Sequence, residues 1–221
     1  MRVSKNIHGF FWESMTQNNC NTYLIDGPTR ILIDPGHIDL FDHVRSGLDE
    51  LGLSMEDIGL VICTHAHPDH IEAVRLFKDT PARFAMGQAE WEWLKSMEQH
   101  IKTQLGTPLS AYTPEILIQE GQLSVGDLQF EMFHTPGHSP GSICIYYPEN
   151  HALFTGDLVF REGIGRTDLP GGDGRLIKES IKRVSKLDAH LLLSGHGEAV
   201  SGADAVRRNF DNVESFWFAY V

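Results

Sequence analysis

Cysteine is scarce in this chain: Cys20, Cys63 and Cys144 are the only three among 221 residues. An odd count without paired metal-type spacing excludes a disulfide framework and a thiolate-built zinc site, and it fits a reducing cytoplasm. Cys63 and Cys144 lie in apolar runs and read as buried thiols. Long hydrophobic runs are missing too. No stretch approaches the roughly 20 apolar residues of a membrane span, and Met1-Arg2-Val3-Ser4-Lys5 has no apolar signal core. Positive charge is the third shortage: 18 Lys and Arg stand against 30 Asp and Glu, a formal net charge of −12. A phosphate backbone needs a basic face, so no nucleic-acid partner is expected, and no membrane partner either. There is no linker, low-complexity segment or charge block, which leaves one domain over residues 1–221.

What is abundant is histidine, and four metal-type side chains fall within one stretch, Thr64-His65-Ala66-His67-Pro68-Asp69-His70. The stretch follows the apolar run Leu60-Val61-Ile62-Cys63, which reads as a buried strand. His65 and His67, two apart, can face the same side of an extended loop, and Pro68 suits the first turn of a helix. Asp69 and His70 are neighbours and cannot easily join the first pair around one ion. The economical solution is two ions, one on His65 and His67, the other on Asp69 and His70. The bland reading is a solvated polar loop, which the density of imidazoles after a buried strand disfavours. Neutral imidazoles and carboxylates suit zinc, iron or manganese.

In chain order, Cys20 to Asp26 and Arg30 to Asp34 read as paired strands across Gly27-Pro28-Thr29. Leu40, Val44, Leu48 and Leu51 recur at helical spacing, and Gly52 stops them. The metal loop leads into a helix on Ile71, Val74, Leu76 and Phe77. A short strand follows near residues 82–85. Residues 87–113 combine a helix carrying Trp91, Trp93, Leu94 and Met97 with a loop too long for a plain connector. They form either a lid over the site or aromatic packing on the core. Strands return over 122–125, 128–133, 142–147 and 151–155, then a helix over 173–187, a strand over 190–193 and a last helix from Ser201. Two batches of strands, each closed by helices, predict an α/β fold with two sheets inside and helices outside. The apolar tail Phe216 to Val221 either covers the core or forms a homodimer contact.

Metal-type residues recur at three further strand ends: His134 and His138 in Phe133-His134-Thr135-Pro136-Gly137-His138-Ser139, Asp157 after Gly156, and His196 in Ser194-Gly195-His196-Gly197. Each has a bland alternative: a turn residue, a cap, an exposed loop histidine. Together they complete an inventory for two ions, with Asp157 able to bridge them. Asp34, before Pro35-Gly36, is a turn-former or an acceptor that fixes a ligand histidine.

On these motifs the chain resembles the metallo-β-lactamase superfamily over nearly its whole length. The carriers are His65-Ala66-His67-Pro68-Asp69-His70, Thr135 to Ser139, Gly156-Asp157, and Gly195-His196-Gly197. The resemblance implies an αββα four-layer sandwich with the site at the strand ends. It assigns His65, His67 and His138 to one metal, and Asp69, His70 and His196 to the other, with Asp157 bridging. The choice of His138 over His134 comes from the family motif alone. Asp34 matches an early turn whose acid supports a ligand. Ile71-Glu72-Ala73 departs from the family, where small residues often follow the motif. Gly165-Arg166-Thr167-Asp168 looks like the segment of short glyoxalase II-like hydrolases and of persulfide dioxygenases. The Lys and Tyr that grip glutathione in full-length glyoxalase II are absent, as is its helical domain.

The implied function is a metal-dependent hydrolase of the glyoxalase II-like type, cleaving a small thioester or acyl substrate with a metal-bridging hydroxide. Two divalent ions, zinc first with iron or manganese as alternatives, are its cofactors, and Asp69 is also the catalytic proton carrier. Arg166 either binds a substrate carboxylate or pairs with Asp168 or Asp173. The rival is a persulfide dioxygenase with a single iron on His65, His138 and Asp157, an arrangement suited to O₂ chemistry. Ile164 stands where those enzymes commonly have cysteine. Lactonase activity and a non-catalytic metal-binding protein complete the alternatives. Loss of a ligand would mark the last, and none is lost.

Overall fold

Short runs of β-branched and aromatic residues become strands here, and strands buried on both faces need no polar alternation. The computed structural model describes residues 1–98 and 106–221. It comprises two units, Met1–Ile118 and Gln119–Val221.

The first unit is a six-stranded sheet in the order β1 (Ile7–Phe10), β2 (Thr22–Ile25), β3 (Arg30–Ile33), β4 (Ile58–Cys63), β5 (Arg83–Gly87), β6 (Ile116–Ile118). The first three strands are antiparallel neighbours, and β3 to β6 run parallel. Leu24, Leu32, Val61, Cys63, Phe84 and Met86 face one way and pack with Val44 and Leu48 of α1 (Asp42–Glu50). Tyr23, Ile25, Ile31, Ile33 and Ile62 face the other way and are buried as well. That two-sided burial is why β4 reads as an unbroken apolar run. At its end Pro68 opens the single turn α2 (Pro68–Ile71), which tightens into a 3-10 helix, Glu72–Phe77. The Asp34-Pro35-Gly36 turn is tied to it: Gly36 N–H donates to the His70 carbonyl and Ala73 N–H to the Gly36 carbonyl. Glu72, the departure from the family pattern, meets His37 Nδ1 at 2.7 Å.

Of residues 87–113, the segment expected to be a lid or core packing, α3 (Gln88–Ser96) and the 3-10 turn Leu109–Tyr112 are described, and 99–105 lie outside the described residues. Leu94, Leu109 and Tyr112 belong to the core of the first unit, with Trp91, Trp93 and Met97 against it.

The second unit has a six-stranded sheet in the order β14 (Val200–Ser201), β13 (Leu191–Ser194), β10 (Ala152–Gly156), β9 (Ile143–Tyr147), β8 (Leu128–His134), β7 (Gly121–Val125). All neighbours are antiparallel except the parallel pair β10 and β13. A small ribbon, β11 (Val159–Phe160) with β12 (Gly163–Ile164), follows β10. Helix α4 (Gly174–Val184) starts where Asp173 Oδ1 accepts from the N–H groups of Arg175 and Leu176, at 2.8 and 2.9 Å. Its Ile177, Ile181 and Val184 share a core with Leu153, Leu192 and Val206, Phe210 and Val213 of α5 (Ala203–Trp217). No helix among the described residues is long and apolar enough to cross a membrane.

Candidate metal centre

The carboxyl end of β4 carries the histidine stretch, and burial there is nearly complete: His65 is 1% exposed and His70 is not exposed at all. His65 Nε2 lies 3.1 Å from His67 Nδ1, and the His65 and His70 ring centroids are 4.1 Å apart. Nitrogens bound at 2.0–2.1 Å around a tetrahedral cation sit about 3.3 Å from each other. The His65–His67 spacing therefore fits a shared cation.

Asp34 sets which nitrogens are available. Its Oδ1 accepts the Thr64 N–H at 2.7 Å, and its Oδ2 accepts the Thr64 hydroxyl at 2.8 Å and faces His70 Nδ1 at 3.0 Å. A carboxylate beside Nδ1 favours the proton on that nitrogen and the lone pair on Nε2. The Thr64 hydroxyl has spent its hydrogen on Asp34, so it accepts from His65 Nδ1 at 3.1 Å, which leaves the lone pair on His65 Nε2. One carboxylate thus orients two imidazoles. Asp34 does so from φ 54°, a left-handed conformation that aspartate tolerates better than most residues. Asp69, 8% exposed, accepts from Asn18 Nδ2 at 2.7 Å through Oδ2.

The second unit gathers its own donors beyond the carboxyl ends of β8, β10 and β13. Asp157 Oδ2 is 3.6 Å from His138 Nε2 and 3.3 Å from His196 Nε2, again the spacing of ligands on one cation. His138 Nδ1 is 2.8 Å from the Arg166 carbonyl, which can only accept, so the His138 lone pair is on Nε2. His134 Nε2 instead lies 2.9 Å from the Pro140 carbonyl. The Gly195 N–H donates to the Gly156 carbonyl at 2.8 Å and holds the two strand ends in register.

The Arg166 side chain is exposed and gives Nε and one terminal nitrogen to the two oxygens of Asp168, both at 2.9 Å. That fork holds the Asp168 carboxyl down at about 2. The expected pairing with Asp168 is present; Asp173 is engaged in capping α4.

The metallo-beta-lactamase superfamily model matches residues 15–196, a span that contains every one of these donors. The chain belongs to that superfamily. A probable metallo-hydrolase of Methanocaldococcus jannaschii is 34% identical over 184 residues, 80% of this chain and 87% of that one. A hydroxyacylglutathione hydrolase of Haemophilus influenzae is 31% identical over 87% of this chain and 92% of its own length. Among solved structures, one described as TTHA1623 in a di-iron-bound form superposes with a TM-score of 0.69 at 28% identity, covering 86% of this chain and 93% of that one. The expected metallo-β-lactamase fold, of the α/β class, is therefore the observed one.

Three parts of this superfamily member's centre escape a reading of side-chain types. Glu90 is fully buried on α3 and accepts the N–H of Ala66, the residue between His65 and His67, at 2.9 Å. Its sequence signal is weak: it shares a helix face with Leu94, four residues on. Gly165 lies so close to the Asp157 carbonyl that a Cβ would come within 1.8 Å of it and 3.0 Å of His138 Nδ1. Gly137, at φ 138°, lets its loop rest on the first turn of α4, where a Cβ would meet Ile177 N at 2.2 Å.

Proposed function

We propose that the protein is a binuclear metallohydrolase that cleaves thioesters, with His65, His67 and His138 holding one divalent cation and Asp69, His70 and His196 the other, Asp157 between them. The observation that carries the reading is the orientation of the rings: His65 and His138 turn Nδ1 to an accepting oxygen and His70 has Nδ1 3.0 Å from the Asp34 carboxylate, which favours Nε2 as the atom that binds a metal. Ordinary solvated histidines need no such arrangement. The donor set is nitrogen and carboxylate oxygen, which suits zinc first and also iron or manganese.

When bound, a pair of such cations lowers the pKa of water toward neutrality and polarises an acyl carbonyl. The side chains do the rest. Asn18 orients the Asp69 carboxylate through Oδ2, and that carboxylate is the group assigned to take the proton of an attacking water. A thiolate leaves without an acid's help. Asp34, the Arg166 carbonyl and Glu90 keep the imidazoles and their loop from turning. The Asp168 fork takes two of the five guanidinium N–H donors, so a substrate carboxylate could engage Arg166 through the others.

A hydroxyacyl thioester of glutathione is the first substrate to try. The named Haemophilus relative is matched over 92% of its length, which leaves little room in it for the helical domain of longer glyoxalase II enzymes. The test is metal content per chain on purified protein, paired with thiol release from that thioester. About two metals that are lost, together with thiol release, in H65A and D157A support the reading. A single iron with oxygen uptake on glutathione persulfide replaces it with the dioxygenase. Absence of metal after reconstitution overturns both.

A further inference from the structure

Strands β10 and β13 carry metal-type residues at both ends. Asp157 and His196 follow their carboxyl ends; His151 and His190 immediately precede their amino ends, with Asp188 two residues before His190. At about 3.3 Å per residue, a five-residue strand separates the two groups by roughly 16–20 Å. The second group is therefore independent of the Asp157 donors.

Its geometry is specific. Both rings are 43% exposed and stack with centroids 4.2 Å apart at 8°. One carboxylate serves both: Asp188 Oδ2 is 3.1 Å from His151 Nδ1 and Oδ1 is 3.2 Å from His190 Nε2. The Asp188 carbonyl also lies 3.0 Å from His151 Nδ1, so that nitrogen carries a proton, which a bound cation would displace or shift to Nε2. Donor atoms of the three residues lie within 4.8 Å of one another. The backbone beneath them is pinned. His190 and Leu191 N–H groups both donate to the His151 carbonyl, at 2.7 and 3.1 Å, and Gly202 N–H to the His190 carbonyl at 2.7 Å. The Tyr146 hydroxyl donates to the Asp188 carbonyl at 2.9 Å. Side-chain rotation would have to bring the donors from within 4.8 Å to the roughly 3.3 Å of a tetrahedral ion. The formal charge of −12 raises the local concentration of any cation.

We propose that His151, Asp188 and His190 form an additional, surface-accessible transition-metal site, distinct from the centre built on Asp157 and selective for imidazole-loving ions such as Zn²⁺ over Mn²⁺. Two imidazoles and a carboxylate are the right donors, and both rings are open enough to unstack around an ion. A practical consequence follows. A count of two metals per chain can arise from one resident ion plus one at this site.

The experiment is equilibrium dialysis of the metal-loaded protein against Zn²⁺, and separately Mn²⁺, with elemental analysis of wild type and of H151N/H190Q. Asparagine keeps the left-handed backbone of His151, φ 47°, so the variant should fold, which its thermal unfolding checks. Wild type should hold about one more zinc ion than the variant, and no more manganese. Zinc should also shift the ring ¹⁵N resonances of His151 and His190 in wild type. Equal zinc content in two folded proteins, or unshifted ring resonances, overturns the proposal. Its failure would leave the Asp157 centre untouched, because that reading rests on H65A and D157A and on thiol release.

Discussion

Removing the Asp34 carboxylate separates structural support from metal chemistry, because alanine and asparagine fail in different ways. In D34A three buried donors lose their partner: the Thr64 N–H and hydroxyl lose an acceptor, and His70 Nδ1 loses its 3.0 Å contact with the carboxylate. Each buried unsatisfied group costs about 1–3 kcal/mol. Alanine at φ 54° adds about 1 kcal/mol of strain. With partial relaxation, D34A should lose about 3–5 kcal/mol in urea unfolding of chelator-treated protein. D34N keeps the left-handed backbone and an Oδ1 that accepts from Thr64 N–H, so it should lose only about 1–2 kcal/mol. Its amide, however, donates where Oδ2 accepted. The Thr64 hydroxyl then accepts from the amide and turns its hydrogen to His65 Nδ1, while His70 must offer Nδ1 as acceptor. Both changes place a proton on Nε2, the atom meant for metal. Metal affinity, measured by competition with a chromophoric chelator, should fall about 10–100-fold. Wild-type affinity in a folded D34N would refute the tautomer argument, and a wild-type urea midpoint in D34A would refute the accounting of the three donors.

Three further outcomes follow from the centre. G165A forces a Cβ to within 1.8 Å of the Asp157 carbonyl, so it should cost about 3 kcal/mol and reduce metal content; calorimetry and elemental analysis on one preparation check both. E90A leaves the Ala66 N–H buried without the Glu90 acceptor and should cost about 1–3 kcal/mol, whereas E90Q, which still accepts through Oε1, should sit closer to wild type in the same thermal scan. The Asp168 carboxyl should titrate at about 2 by carboxyl-detected NMR. Because its folded pKa is depressed, the pairing with Arg166 contributes above the ordinary carboxylate pKa and is lost as pH falls through about 2. R166A should return that midpoint toward the ordinary range, and an unmoved midpoint would exclude the fork as its cause.

Much of the fold was legible where burial is two-sided. The apolar runs that became β4, β9, β10 and β13 stand out without any alternation, and the spacing of Leu176, Ile177, Ile181 and Val184 located α4 to within three residues at its carboxyl end. Strands β1, β6, β11, β12 and β14 did not stand out. Each is two to four residues long, and β1 includes Gly9, so they owe their pairing to neighbours rather than to pattern. The candidate donors were legible as side chains clustered at strand ends. What escaped was whatever acts through backbone or space. The Arg166 carbonyl orients His138, a role the guanidinium disguises, and Gly165 matters for what it lacks. Glu90 looks in sequence like a helix-terminal acid, yet it is buried.

The parallel pairing of β10 with β13 makes chain length, more than residue identity, the fragile quantity in this part of the molecule. Ala152 sits beside Leu191 and Phe154 beside Leu193, so β10 works as a ruler between His151 and Asp157. Many apolar substitutions inside it would keep that ruler intact. A single-residue insertion or deletion would reverse every following side chain and swing Asp157 away from His138 and His196. Lineages carrying this strand can vary its letters far more freely than its length, and indels should be purged there sooner than point changes.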